Sequence, residues 1–199
     1  MSIYNKNWSV VVDVDEVLNN LMTETIYHLK ESFAIGDDEL SLDDFTEYEV
    51  KKCVTPDVYS KMEELWADKS FWDNLVPSDG AVEAMRKLIQ SGIEVFIMTA
   101  CTPDIVEGRS KWFAKYFPFI KQENIIYGYP KWLVSCDFML EDRLETLLRT
   151  PVWTHRVLMD KPWNRRNSDH DVARGIIRAK SITEAVDEIV KIVDDERNW

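Results

Sequence analysis

The chain has 199 residues, with 24 Lys and Arg against 36 Asp and Glu, a formal charge of −12. At roughly 100–200 residues per domain it is one domain with room for a small insertion, long enough to need no disulfide or metal staple. A hydrophobic share of 45% excludes a disordered chain. The acidic balance argues against a groove for a nucleic-acid polymer, which needs clustered Lys and Arg, but leaves room for a small anion in a local pocket.

Residues Met1 to Trp8 lack the apolar run of a signal peptide, and no stretch approaches a membrane span. Cys53, Cys101 and Cys136 are odd in number and widely spaced, which reads as reduced thiols with no zinc ribbon. A cytoplasmic protein without a membrane partner is expected. The first element is a strand over Ser9–Val12, short and β-branched, as in a parallel sheet buried on both faces. It ends at Asp13. The next residues, to about Asp73, are charged and contain no strand. Helices are expected near Met22–Phe33, Leu42–Lys52 and Pro56–Asp68, and together they read as a helical insertion.

A βα rhythm then begins. Pro77-Ser78-Asp79 introduces a helix with Ala81, Met85, Leu88 and Ile89 on its apolar face, and Gly92 stops it. A strand over Ile93–Met98 ends at Thr99. A helix over Ile105–Tyr116 follows, then strands over Asn124–Tyr127, Cys136–Leu140 and, last, Thr154–Met159. Ser181-Ile182-Thr183-Glu184 has the pattern of a capping box, opening a helix with Ile182, Val186, Ile189 and Val193 inward. The pattern is α/β, a Rossmann-like parallel sheet with helices on both faces and a small helical insertion after the first strand.

Ligands of an open parallel sheet bind at the carboxyl ends of its strands. The polar residues there are Asp13 and Asp15, Thr99, and Glu141 with Asp142; Lys131 lies just before the strand that ends in Glu141. Crowded carboxylates need a cation, and oxygen ligands suit Mg²⁺. A lysine and a hydroxyl hold an anion such as phosphate. Together these make a phosphoryl-transfer site. Taken singly, each has a plainer role: an Asp at a strand end is often a cap or turn residue, and Glu141-Asp142-Arg143 fits a solvated turn. Their conjunction at successive strand ends favours function. His28, His155 and His170 show no metal-ligand spacing. There is no GxGxxG, P-loop or GxSxG motif. Cys101 fits a small loop or core residue better than a nucleophile.

Asp13-Val14-Asp15-Glu16-Val17-Leu18 resembles motif I, DxDxV/T, of the haloacid dehalogenase (HAD) superfamily. Ile97-Met98-Thr99 is similar to motif II, Lys131 to motif III, and Leu140-Glu141-Asp142-Arg143 to motif IV. Within the superfamily the chain most resembles the 5′(3′)-deoxyribonucleotidases, through Phe71 to Ala81, Val95 to Thr99, and Lys131 to Arg143; Pro151 to His155 also resembles a segment of that family. The resemblance implies a HAD-like core over residues 1–18 and 75–199 with a helical cap over 19–74. It implies a Mg²⁺-dependent phosphomonoesterase acting on (deoxy)ribonucleoside 5′-monophosphates. Asp13 would be the nucleophile and Asp15 the acid and base. Thr99, Ala100, Lys131 and Arg109 would hold phosphate. Mg²⁺ would bind Asp13, the Asp15 carbonyl and Asp142, with Glu141 beside it. Leu21, Tyr48, Trp66 and Trp72 would surround base and sugar, although Trp66 and Trp72 also fit a plain core. A homodimer stays open.

The chain departs from the pattern at three places. Glu16 stands where Gly is common, Glu141 where Asp is usual, and Asn20-Leu21 replaces an Asp-Phe pair. Three rival readings follow: a phosphatase for another small phosphomonoester such as a sugar phosphate, a phospho-accepting signalling domain, and an inactive binding protein. A receiver domain would be shorter, capless, and would carry its Asp on a middle strand.

Overall fold

β1 (Trp8–Val12) is central to a six-stranded sheet because its residues are apolar on both sides and buried on both sides. The other strands are β2 (Ile93–Thr99), β3 (Ile125–Tyr127), β4 (Phe138–Glu141), β5 (His155–Met159) and β6 (Ile176–Ala179). The order is β3-β2-β1-β4-β5-β6, and every neighbouring pair is parallel. Val12 lies opposite Ile97 on one side and Leu140 on the other. The next residues, Asp13 and Glu141, therefore leave the sheet at one level. The protein is seen here as a computed structural model that describes residues 6–33, 35–36, 39–167 and 174–198, with only the backbone of 166 and 167. His170 lies outside the described residues.

Among the described residues seven α-helices accompany the sheet: α1 (Leu21–Phe33), α2 (Pro56–Ala67), α3 (Lys69–Asn74), α4 (Ala81–Gln90), α5 (Val106–Tyr116), α6 (Leu144–Arg149) and α7 (Ile182–Arg197). Val10, Val12, Ile97 and Leu140 meet α4, α5 and α7 through Met85, Leu88, Trp112, Phe113, Val186 and Ile189. Val11, Met139 and Leu158 point to the other face, where Leu147 of α6 covers them. Alternate residues of one strand thus feed two cores, which is why the strands read as unbroken apolar runs.

The residues between β1 and α4 form a separate helical layer with its own apolar cluster of Met22, Ile26, Leu29, Phe45 and Met62. Its two ends meet. The Ser78 N–H donates to the Leu18 carbonyl at 2.8 Å, and Asn19 and Pro77 form an antiparallel bridge.

Several elements differ from expectation. The helix expected over Leu42–Lys52 is two 3₁₀ turns, Leu42–Asp44 and Val50–Lys52. The strand expected from Cys136 begins at Phe138, and β5 is followed by β6 rather than being last. The cap of α7 is half a capping box: Ser181 Oγ accepts from the Glu184 N–H at 3.1 Å, but Glu184 Oε2 takes the N–H of Lys180 at 2.7 Å. Among the described residues no helix is long and apolar enough to cross a membrane.

Candidate active site

The strand order reverses between β1 and β4, the switch point where open parallel sheets hold their ligands. Asp13 continues the β1–β4 ladder, its N–H donating to the Leu140 carbonyl at 3.0 Å. Its Oδ1 accepts from the Val14 N–H at 2.6 Å and lies 2.5 Å from Lys131 Nζ. Lys131 opens the 3₁₀ turn Lys131–Leu133 and also meets Glu141 Oε1 at 2.7 Å. Glu141 Oε2 accepts the Arg143 N–H at 3.0 Å. Both oxygens of Glu141 are therefore engaged, and its main contact is with the lysine.

Oxygens of Asp13, Glu141 and Asp142 lie within 4.8 Å of one another, and all three residues are buried. Burial raises the Asp13 carboxyl to about 7, helped by the charge of Glu141 and only partly opposed by Lys131. Burial, then the charges of Glu141 and Asp13, also hold Asp142 well above the carboxylate range. Burial works to lower the Lys131 ammonium, but Asp13 and Glu141 outweigh it and hold it above its ordinary value. With all three carboxyls ionised, one lysine would leave negative charge in excess, and burying that excess is what raises Asp13 and Asp142. An all-oxygen set of this kind suits a hard divalent cation such as Mg²⁺.

Asp15 stands at the rim of the site, in a loop ordered by Asn19. The Asn19 amide donates to Asp15 Oδ1 at 2.9 Å, while its own Oδ1 accepts the N–H groups of Glu16 and Leu21. Arg109 of α5 reaches the same Asp15 oxygen at 2.5 Å. Arg109 is only 3% exposed, and its Nε and Nη1 have no hydrogen-bond partner. Thr99, at the end of β2, is 1% exposed and its hydroxyl is likewise unpartnered. Buried donors without acceptors are costly, and both groups are chemically able to donate to an anion's oxygens.

A cavity of about 220 Å³ opens above Asp13 and Asp15, and Leu21, Tyr48, Trp66 and Ala100 also line it. The Trp66 indole N–H is tied to Thr25 Oγ1 at 3.0 Å. Tyr48 is 45% exposed, yet partial desolvation and the charges of Asp142, Asp13 and Glu141 push its phenol up. Arg143 lies 4.4 Å over its ring. Trp72 does not line this cavity. Its N–H donates to the Trp66 carbonyl at 2.7 Å, and its ring lies 5.1 Å from the Arg109 guanidinium.

Sequence reasoning passed over Lys161, Trp163 and Asn164. All three contact the site from the loop after β5, Trp163 Nε1 donating to Asp142 Oδ2 at 3.0 Å. The signal was available: polar residues follow the carboxyl end of β5 just as they follow β1, β2 and β4.

The architecture is that of the HAD hydrolases. A HAD family hydrolase from Deinococcus radiodurans R1 superposes with a TM-score of 0.59 at 13% identity, covering 94% of this chain and 96% of that one. A haloacid dehalogenase-like hydrolase from Streptococcus pneumoniae gives 0.58 at 10%, covering 94% and 98%. Residues 7–194 match the family model described as 5′ nucleotidase, deoxy (pyrimidine), cytosolic type C protein, and the chain belongs to that family, which makes it a hydrolase. It is 26% identical over 175 residues to a 5′(3′)-deoxyribonucleotidase of Clostridium acetobutylicum, covering 88% of this chain and 94% of that protein. To the 5′(3′)-deoxyribonucleotidase of Bacillus subtilis it is 24% identical over 163 residues, covering 80% and 88%.

Proposed function

We propose that the protein is a Mg²⁺-dependent phosphatase that hydrolyses (deoxy)ribonucleoside 5′-monophosphates through an aspartyl phosphate on Asp13. The observation that carries this reading is Asp13, paired with Lys131 on the wall of an aromatic-lined cavity, together with the buried Thr99 hydroxyl and the buried Nε and Nη1 of Arg109, which have no partner. The names of the Clostridium and Bacillus relatives support the substrate class.

Val14 N–H and Lys131 both hold Asp13 Oδ1, which leaves Oδ2 to attack phosphorus. The Oδ2–P bond forms as the P–O5′ bond breaks, and Asp15 gives its proton to the departing O5′. Asn19 and Arg109 both bind Asp15 Oδ1, which leaves Oδ2 to carry that proton. In the second step Asp15 takes a proton from water, the water oxygen bonds phosphorus, and Asp13 is released. Thr99, Lys131, Arg109 and the backbone at Ala100 cradle the phosphoryl oxygens. Asp13 and Asp142, with the Asp15 carbonyl, would hold Mg²⁺, which when bound supplies charge neutralisation for the phosphoryl group. Glu141 acts through Lys131. Leu21, Tyr48 and Trp66 face the nucleoside, aromatic faces being suited to stacking on a base.

The test is phosphate release from nucleoside monophosphates and sugar phosphates, with Mg²⁺ and with chelator, for wild type and Asp13→Asn. Mg²⁺-dependent release from nucleotides that vanishes in Asp13→Asn is expected. Turnover of sugar phosphates alone would remove the nucleotide assignment. No turnover of any phosphomonoester would remove the enzyme mechanism.

A further inference from the structure

The segment after β5 enters the site from a side that the roles of Asp13, Asp15, Thr99 and Lys131 leave unexplained. Trp163 donates its indole N–H to Asp142 Oδ2 at 3.0 Å. Its partly buried ring packs against the apolar cluster of the helical layer, which includes Met22, Phe45 and Met62, and also lines the cavity over Asp13. The buried Asn164 amide donates to the backbone carbonyls of Asp142 and Met159, both at 2.8 Å. Asp142 is thus held at its carboxylate by a residue seated in the helical layer and at its backbone by a residue seated on the sheet. Two residues earlier, Lys161 Nζ meets Glu16 Oε2 at 2.8 Å, and Glu16 Oε1 accepts the Met22 N–H at the start of α1. Two bridges therefore run from this one segment to the helical layer.

We propose that Trp163 is a positioning residue that makes the grip of Asp142 on Mg²⁺ depend on how the helical layer is seated. The inference rests on the Mg²⁺ site proposed above. Asp142 is buried beside two other carboxylates, so its orientation needs an outside restraint. A neutral N–H holds one oxygen without supplying a competing cation, and the other oxygen stays open to the ion. Residues that orient a metal ligand through a hydrogen bond typically change affinity by about 10–100-fold. Because the ring that carries this N–H packs against helical-layer side chains, displacement of that layer moves the donor. By linkage, bound Mg²⁺ must favour the seated layer as strongly as the seated layer favours Mg²⁺.

Trp163→Phe keeps a ring in the cluster and removes only the donor. Mg²⁺ affinity, measured by titration calorimetry with the metal alone, should fall about 10-fold in this variant. Its metal-free melting temperature should stay close to wild type. Mg²⁺ should slow amide exchange in residues 42–66 of wild type and not of Trp163→Phe. Trp72→Phe, altered at an indole outside the cavity, should bind Mg²⁺ like wild type. Equal affinity in wild type and Trp163→Phe would overturn the positioning role alone. So would a loss of affinity accompanied by a large drop in metal-free melting temperature, because the ring's packing would then explain it. Absence of Mg²⁺ binding by wild type would overturn both this inference and the proposed metal site.

Discussion

Glu16 offers a sharp test, because two physical effects oppose each other there. It is a non-glycine residue at φ 63°, in the left-handed region, which strains the backbone by about 1–2 kcal/mol. Gly at this position would relieve that strain. The side chain, however, forms a pair with Lys161 in which the two are only 5% and 14% exposed. Removing one partner of a buried pair costs about 3–5 kcal/mol, because the other charge is left uncompensated. The Met22 N–H would also lose its 2.5 Å acceptor. The pair should win: Glu16→Gly is expected to destabilise by about 2–4 kcal/mol, a fall of roughly 4–16 °C at 2–4 °C per kcal/mol for a chain of this size. Thermal and urea denaturation followed by circular dichroism, in chelator, would measure it. Glu16→Gly/Lys161→Met should regain much of the loss, since neither charge remains. A single variant as stable as wild type would refute the claim that the ion pair outweighs the strain.

Lys131→Met should lower kcat by about 10²–10³, the range seen when one preorganised donor to a developing oxyanion is lost, as read by phosphate release. Trp66→Phe should raise KM for a nucleoside monophosphate while Trp72→Phe leaves it near wild type, because of these two only Trp66 lines the cavity; equal effects would contradict that geometry. The metal-free protein should lose stability as pH rises from about 4 through about 7, since Asp13 is raised from 3.8 to about 7 and the folded state holds the extra proton across that window. Melting temperatures at several pH values, with Asp13→Asn as the flattened control and Mg²⁺ as the rescuing ligand, would check the sign. Cys136 is buried with its thiol pushed up to about 12 by burial, so a thiol reagent at mild pH should reach it only after unfolding.

The strands flanking the site were readable because a strand buried on both faces leaves an unbroken apolar run, as Val10–Val12 and Val95–Met98 do. The cluster of polar residues at the strand ends was readable for the same reason: a parallel sheet delivers the residue after each run to one edge. What escaped notice lacked such a run. β6 has only Ile176 and Ile177 before Arg178 interrupts it, and it lies at the sheet's edge, where half-buried residues suffice. α3 and α6 have six residues each, too few for helical periodicity to emerge. Trp72 follows Trp66 at near-helical spacing, but a break at Asp68 separates α2 from α3 and turns Trp72 away from the cavity. The role of Glu16 was hidden because its partner lies 145 residues away; the sequence marked it only as an unusual residue in a familiar motif.

The helical layer leaves the sheet and returns at a single point, with Leu18 and Ser78 hydrogen-bonded to each other at 2.8 Å and Asn19 bridged to Pro77. Seen from the core, these roughly sixty residues form a closed side branch, and the chain on either side is already spliced. A different insert could be grafted across that junction without shifting the register of β1 against β2 and β4. The branch can then change in sequence while Asp13 keeps its place at the end of β1. Other contacts also tie the branch to the core, among them Trp163 against its apolar cluster, Arg143 over Tyr48 and Arg109 beside Trp72, and they restrict which grafts would fit.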